Sequence, residues 1–312
     1  MSHRSLCGRG LAFSYLSDIV PLVDVDLSIA PATRVALLGA NGSGKTTLLR
    51  ILAGSLKPAR GLVEVDGVPL RHDRTGLRAH RQTVQLVLQN PDDQLFSADV
   101  AHDIAFGPAN LGLDRTEIRE RVRDAMTLLS IASLADRPTH ELSYGERKRV
   151  TIAGAMAMRP CVLLLDEPTA GLDPAGVEEM FAALERLEAG GTTVVLSTHD
   201  TALAFGWADS VAVLQGGTVV QGTPVETFHQ RDLLEQARLR APWPIELMDE
   251  LRRRGFDQQP TTVPRDAAEF AHWILDTVVN NDPVRSASSE EARFSGGHSI
   301  DRPFSAAARG DE

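Results

Sequence analysis

Gly39-Ala40-Asn41-Gly42-Ser43-Gly44-Lys45-Thr46 is the stretch that decides the fold. It fits the pattern G-x-x-x-x-G-K-[ST], in which glycines let successive backbone N–H groups turn inward around phosphate oxygens. The helix that follows adds its N-terminal dipole, Lys45 reaches the β and γ phosphates, and the Thr46 hydroxyl ligates Mg²⁺. The flanks have the required character. Val35 to Leu38 is a short apolar run, as expected of a strand buried on both faces, and Thr46 to Ala53 reads as a helix. Of the 32 basic residues only Lys45, Lys57 and Lys148 are lysines. Arginine therefore serves wherever positive charge decorates the surface, and a retained lysine points to a need for compact charge.

Working outward, Val23, Val25, Leu27 and Ile29 alternate with polar residues, which predicts a strand with one wet face. Val63 and Val65 lead into a hairpin signal at Asp66-Gly67. Two more buried runs, Cys161 to Leu165 and Thr193 to Leu196, are separated by a helical stretch around Val177 to Leu187 that ends at Gly190-Gly191. Strand, helix, strand predicts a parallel sheet. Residues 114 to 135 and 145 to 158 read as helices, giving a mostly helical insert over about residues 90 to 160. A last hairpin, Val211 to Leu214 with Thr218 to Val220, closes the unit near residue 228. Residues 229 to 281 are helix-like and proline-punctuated, a small extension. From Asp282 onward the chain is Ser, Ala, Gly and mixed charge, and a disordered tail is expected there.

Composition narrows the function. The 312 residues carry 42 acidic and 32 basic side chains, a net charge of −10, which argues against binding the nucleic-acid backbone as a main task. Two cysteines, Cys7 and Cys161, exclude a disulfide scaffold and suggest a reducing compartment. No run approaches the length of a membrane span and no signal-peptide pattern is present, so a soluble chain is expected. The nine histidines form no ligand-spaced cluster.

The strand ending at Leu165 delivers two adjacent carboxylates, Asp166 and Glu167, to the sheet edge where ligands bind. Two acids emerging from a buried strand repel unless a cation compensates. That suggests Asp166 as a Mg²⁺ partner and Glu167 as the base that polarises water.

Leu142-Ser143-Tyr144-Gly145-Glu146, 23 residues before Asp166, resembles the LSGGQ signature of the nucleotide-binding subunits of ATP-binding-cassette transporters, departing from it at Tyr144 and Glu146. Ser143 to Glu146 is also a capping-box pattern, and both readings can hold together. The remaining family elements occur in order: Gln89 resembles the Q-loop, Asp173 the D-loop, His199 the switch histidine, and Tyr15 the aromatic that stacks on adenine.

The resemblance covers about residues 8 to 228. It implies an α/β fold, a P-loop NTPase (RecA-like) mostly parallel sheet with an antiparallel β subdomain, a helical signature subdomain and a small C-terminal helical extension. It implies ATP held by Tyr15, Gly39, Asn41, Gly42, Ser43, Gly44, Lys45, Thr46 and Thr47, with Ser143, Gly145 and Asp173 also contacting the nucleotide. Mg²⁺ would be held by Thr46, Gln89 and Asp166, and catalysis carried by Glu167, His199 and Gln89. In such proteins Ser143 and Gly145 address the γ-phosphate held by the opposite subunit.

A narrower resemblance lies in Asn90 to Phe96, Ala105 to Gly112 and Ala237 to Pro242, which look like the ATPases of energy-coupling-factor and cobalt or nickel importers. This implies uptake of a transition-metal ion or a vitamin. The expected partners are scaffold and substrate-binding membrane subunits and a second ATPase, identical or paralogous, with no nucleic acid. The expected place is the cytoplasmic face of the membrane, as a peripheral subunit.

Another importer or exporter of the same class, or a non-transport member, is the alternative. A chromosome-maintenance ATPase would need a coiled coil where Gln89 and Ser143 are only 54 residues apart, and a translation ATPase would carry two cassettes. A guanine-nucleotide reading lacks an Asn-Lys-x-Asp tetrapeptide and leaves Ser143 and His199 unexplained.

Overall fold

The computed structural model describes residues 4–15, 21–256, 260 and 263–279. In chain order the elements are β1 (Leu6–Phe13), β2 (Leu22–Ile29), β3 (Arg34–Leu38), α1 (Lys45–Leu52), β4 (Arg60–Val65), β5 (Val68–Pro69), α2 (Arg74–Thr83) and β6 (Val84–Val87). There follow α3 (Val100–Asn110), α4 (Arg115–Leu128), α5 (Tyr144–Ala157), β7 (Val162–Asp166), α6 (Pro174–Ala189), β8 (Thr193–Thr198) and α7 (Thr201–Trp207). The last are β9 (Ser210–Gln215), β10 (Thr218–Gly222), α8 (Pro224–Phe228), α9 (Arg231–Gln236), α10 (Trp243–Arg253) and α11 (Ala267–Ile274).

Six strands form one sheet in the order β10-β9-β3-β8-β7-β6, parallel throughout except for the β9–β10 hairpin. β7 and β8 are buried at every position, which is why they read as unbroken apolar runs. The strand order places the C-terminal ends of β3, β8, β7 and β6 side by side. The glycine loop, His199, the Asp166-Glu167 pair and Gln89 follow those four ends.

The second sheet, β2-β1-β4-β5, is antiparallel. Its β4–β5 turn has Asp66 at φ 51° and Gly67 at φ 74°, the two left-handed residues of a two-residue hairpin. Leu48, Ile51 and Leu52 of α1 share one buried cluster with Leu6, Leu22 and Ile29 of this sheet and with Val35, Leu37 and Leu164 of the other. The helix that follows the glycine loop is thus wedged between two layers, and its N-terminus has little freedom.

The expected fold class is found, with differences in detail. The helix expected over 114–135 ends at Leu128, because Ser130 takes a left-handed φ of 56° and only a short 3₁₀ turn, Ala132–Leu134, follows. α2 was not anticipated: its sequence is nearly all polar, and His80 is its buried residue. α3 was hidden by Gly107-Pro108 in its last turn, although Asp99 caps its start by accepting from the His102 amide. β1 lacks alternation because its pairing with β2 shifts register between Gly8 and Leu11.

The described chain divides into two compact units after Leu247, within α10. In the second unit Trp273 meets Phe256 and Phe270 edge to face, with ring centroids 5.7 and 5.3 Å apart. The expected tail from residue 282 lies outside the described residues.

Candidate active site

The glycine loop turns from β3 into α1 through Gly44, which caps the helix at φ 109°; a Cβ there would stand 3.0 Å from the Pro21 carbonyl oxygen. Only glycine fits both demands. The first residue of α1 is Lys45, which is 6% exposed. Its Nζ donates to the Gly39 carbonyl at 2.7 Å and lies 3.5 Å from Glu167 Oε1. The second is Thr46, whose hydroxyl donates to Asp166 Oδ2 at 2.6 Å. Tyr15 OH and Thr47 Oγ1 are 3.0 Å apart, and the half-exposed Tyr15 ring stands edge-on to Phe13.

At the end of β7 the two carboxylates diverge. Asp166 accepts a second hydrogen bond at 2.6 Å from Ser197 Oγ on β8, and that same oxygen accepts from the Glu167 amide at 3.0 Å. Glu167 has φ 47°, a left-handed conformation that is uncommon for a non-glycine residue. Its carbonyl and that of Pro168 both accept from Lys148 Nζ on α5, at 2.9 and 3.0 Å. Burial pushes the Lys148 amine down to about 8, against the upward pull of the Glu167 and Asp166 carboxylates. His199, on the loop after β8, brings Nδ1 to 3.3 Å from Glu167 Oε2, while its side chain remains 63% exposed. Lys45, Thr46, Gln89, Asp166, Glu167 and His199 line one cleft of about 380 Å³, with Tyr15, Asn41, Gly42, Gly44 and Thr47 on the loop side.

Ser143, Gly145 and Asp173 are not on that cleft. Ser143 caps α5: its Oγ accepts from the Glu146 amide at 3.3 Å, and Glu146 Oε2 accepts from the Ser143 amide at 2.7 Å. This is the capping box legible in the sequence. Gly145 lies in the first turn of α5, and Asp173 caps α6 by accepting from Gly176. The Tyr144 hydroxyl reaches the Gln89 carbonyl at 3.4 Å. Two participants were missed by sequence reasoning. Ser197 gave no signal beyond its place before His199, whereas Lys148 was marked by the scarcity of lysine.

The donor set suits a small hard cation. A hydroxyl and a carboxylate oxygen already converge at Thr46 and Asp166, with the Gln89 amide on the same cleft. Among the described residues no group of three or more His, Cys, Asp or Glu could hold a metal by itself. Mg²⁺ bound through one carboxylate and one hydroxyl, and completed by substrate phosphates and water, needs no such cluster.

The sequence profile described as ABC transporter matches residues 22–170, the span from β2 through the carboxylate pair. A putative ABC transporter ATP-binding protein of Streptomyces coelicolor is 52% identical over 263 residues, covering 84% of this chain and 93% of that protein. The chain belongs to the ABC transporter family. This ABC ATPase is also 45% identical over 273 residues to the cobalt import ATP-binding protein CbiO of Rhodobacter capsulatus, covering 86% and 98% of the two chains. An energy-coupling factor transporter ATP-binding protein, EcfA of Methanothermobacter thermautotrophicus, is 42% identical over 268 residues, 85% of this chain and 86% of the relative. Among solved structures, CbiO1 of Clostridium perfringens, part of a CbiONQ transporter complex, matches with TM-score 0.68 and 39% identity over 80% of this chain and 100% of its own. A dimeric bacterial ABC transporter cassette matches with TM-score 0.64 and 25% identity, covering 70% and 98%. The chain is an ABC ATPase of the CbiO and EcfA type, which binds ATP and couples its hydrolysis to transport.

Proposed function

We propose that this chain is the ATP-hydrolysing subunit of an energy-coupling-factor importer that takes up cobalt, nickel or a vitamin through membrane partner subunits, and that it sits peripherally at the cytoplasmic face. The observation that carries the catalytic part is the convergence of Lys45, Thr46, Asp166, Glu167 and His199 on one cleft at the ends of three neighbouring parallel strands.

The amides of Gly42, Ser43 and Gly44 and the α1 N-terminus bind the phosphates, with Lys45 turned to the β and γ oxygens. Tyr15 stacks on the base. Thr46, Asp166 and Gln89 would hold Mg²⁺, which when bound would neutralise the developing charge on the phosphoryl oxygens. Glu167 accepts a hydrogen bond from the attacking water, and His199, whose Nδ1 lies 3.3 Å from Glu167, contacts the γ-phosphate on this reading. Ser143 and Gly145, at the start of α5, and Asp173 serve the nucleotide of a second ATPase subunit, which fits their absence from the chain's own cleft.

The surface that would meet the membrane subunits lies beyond Gln89. Phe96 and Phe106 stand 62% and 49% exposed in a T-shaped pair, centroids 4.5 Å apart, beside a cleft of about 490 Å³ whose rim carries Arg74, Arg78 and Asn110. Among the described residues no helix is long and apolar enough to cross a membrane, so passage of the cargo falls to the partner subunits.

Two measurements test the reading. Glu167→Gln should abolish turnover yet keep ATP binding, whereas Lys45→Ala should lose ATP affinity; equal loss of affinity in both contradicts the division of roles. Co-expression with the candidate membrane subunits should give ATP-dependent uptake of labelled cobalt, nickel or a vitamin. Membrane subunits that never co-purify with the chain argue against the importer.

A further inference from the structure

Lys148 is used by none of the steps above, yet it is 3% exposed and contributes its ammonium directly beneath the residue assigned to the water. It lies on α5 one turn after Tyr144, whose ring centroid is 5.3 Å from Nζ. A solvated lysine has no reason to be here, since burying an ammonium is unfavourable unless polar groups replace water around it. What replaces water is a pair of consecutive main-chain carbonyls, Glu167 and Pro168, at 2.9 and 3.0 Å.

Those carbonyls belong to a strained turn. Glu167 has φ 47°, and such a conformation persists in a non-glycine residue only where its surroundings enforce it. The enforcement comes from both sides. Ser197 Oγ accepts the Glu167 N–H, and Lys148 holds the Glu167 C=O. The amide and the carbonyl together fix the orientation of the Cα, and hence the direction in which the carboxylate leaves toward Lys45 and His199.

We propose that Lys148 is a positioning residue for hydrolysis: its ammonium clamps the main chain of Glu167 and Pro168 so that the Glu167 carboxylate stands where the attacking water is activated. Because Lys148 rides on the helix capped by Ser143, the clamp ties the aim of Glu167 to the orientation of α5. A movement of that helix is then transmitted to the site through two hydrogen bonds. The inference rests on the role given above to Glu167.

The test compares Lys148→Met with Lys148→Gln in the full chain. Methionine and glutamine match each other in length, both one bond short of the lysine Nζ, but only glutamine can donate hydrogen bonds. ATPase kinetics and ATP affinity are measured together. Lys148→Met should lower kcat at least about tenfold with KM and Kd for ATP within about twofold, the pattern expected when a reacting group is mis-aimed rather than the nucleotide lost. Lys148→Gln should recover part of that loss.

Wild-type kcat in Lys148→Met, equal impairment of Met and Gln, or a loss matched by weaker ATP binding would each overturn the proposal. Should Lys148→Met not fold, Lys148→Arg decides. Its guanidinium is longer and bulkier than the ammonium, so in this buried position it shifts the two carbonyls it would hold and kcat must fall at unchanged KM; wild-type kcat overturns the claim that the ammonium's position sets the aim of Glu167. Glu167→Gln is assayed alongside. Turnover retained there overturns the role of Glu167 itself, whereas a dead Glu167→Gln beside an active Lys148→Met overturns the lysine's role alone.

Discussion

Ser197→Ala removes a single oxygen that joins both carboxylate-bearing residues of the site. That oxygen is fully buried, donates to Asp166 at 2.6 Å and accepts from the Glu167 amide at 3.0 Å. Losing the bond to an ionised carboxylate removes about 1.5–3 kcal/mol, and stranding a buried N–H adds about 1–3 kcal/mol. The two losses share one atom and partly relax together, and Asp166 keeps its bond from Thr46, so a net destabilisation of about 2–4 kcal/mol is expected. For a chain of this size that corresponds to a fall in melting temperature of about 3–6 °C. Thermal unfolding by circular dichroism at pH 7.5 without nucleotide reads the stability, and steady-state ATPase on the same preparation reads the site. Since Glu167 loses one of its two main-chain restraints, kcat should fall at least about tenfold at an ATP KM within about twofold. A melting temperature within about 1 °C of wild type, with unchanged kcat, would refute the claim that this hydroxyl organises the carboxylate pair.

Three further outcomes are expected. If the chain forms homodimers with nucleotide shared between Lys45 of one copy and Ser143 of the other, Lys45→Ala and Ser143→Arg should each be inactive. Their random mixture should recover at most about a quarter of wild-type ATPase after subunit exchange, and no recovery from dimers that plainly exchange contradicts the shared site. His80 is buried with Nε2 2.7 Å from the Leu52 carbonyl, and burial holds its pKa below the usual 6.5 despite that bond. As pH falls through about 6.5 the unfolded chain takes up the proton and the folded chain resists it, so stability drains away on the acid side. His80→Gln, less stable at pH 7.5, should therefore close the gap in melting temperature by pH 5.5; a constant gap argues against a neutral buried imidazole. Gly61 has φ 79°, and a Cβ there would meet the Gly10 carbonyl oxygen at 2.3 Å, so Gly61→Ala should lower stability by about 2–4 kcal/mol in urea titration. A shift of the unfolding midpoint within error of wild type would show that β1 and β4 can part without penalty.

The parts of this fold that could be read from sequence are those whose physical cause is local. Val35 to Leu38 had to be a two-sided strand because it is apolar at consecutive positions, and Gly44-Lys45-Thr46 had to open a helix because nothing else places those residue types together. Asp66-Gly67 and Gly216-Gly217 marked hairpins through their tolerance of positive φ.

What stayed hidden depends on partners distant in the chain. The polar α2 is a helix although it contributes little beyond His80 to the buried interior, so periodicity never marked it. Ser197 is one serine among many until β7 and β8 pair and set Asp166 beside it. Glu167 could be singled out for its carboxylate. Its left-handed backbone could not, because the atoms that hold it come from residues 148 and 197.

The adjacency of β6 and β7 gives the excursion between them a particular standing. These strands are parallel hydrogen-bonded neighbours, so as far as the sheet is concerned residues 88–161 are one long crossover that leaves the C-terminal end of β6 and returns to the N-terminal end of the strand beside it. Such a detour can be lengthened, shortened or resculpted while the spacing of the sheet stays at about 4.8 Å and the hydrolytic groups stay put. If the docking surface proposed above lies on this stretch, it can be reshaped without retuning the chemistry. The two ends of the crossover are the exception: Gln89 lines the cleft as the chain leaves β6, and α5 delivers Lys148 under Glu167 on its way back to β7. A chimera that borrows a relative's docking surface should therefore splice in the stretch between Gln89 and α5 and keep both ends native, because those ends touch the hydrolytic site itself.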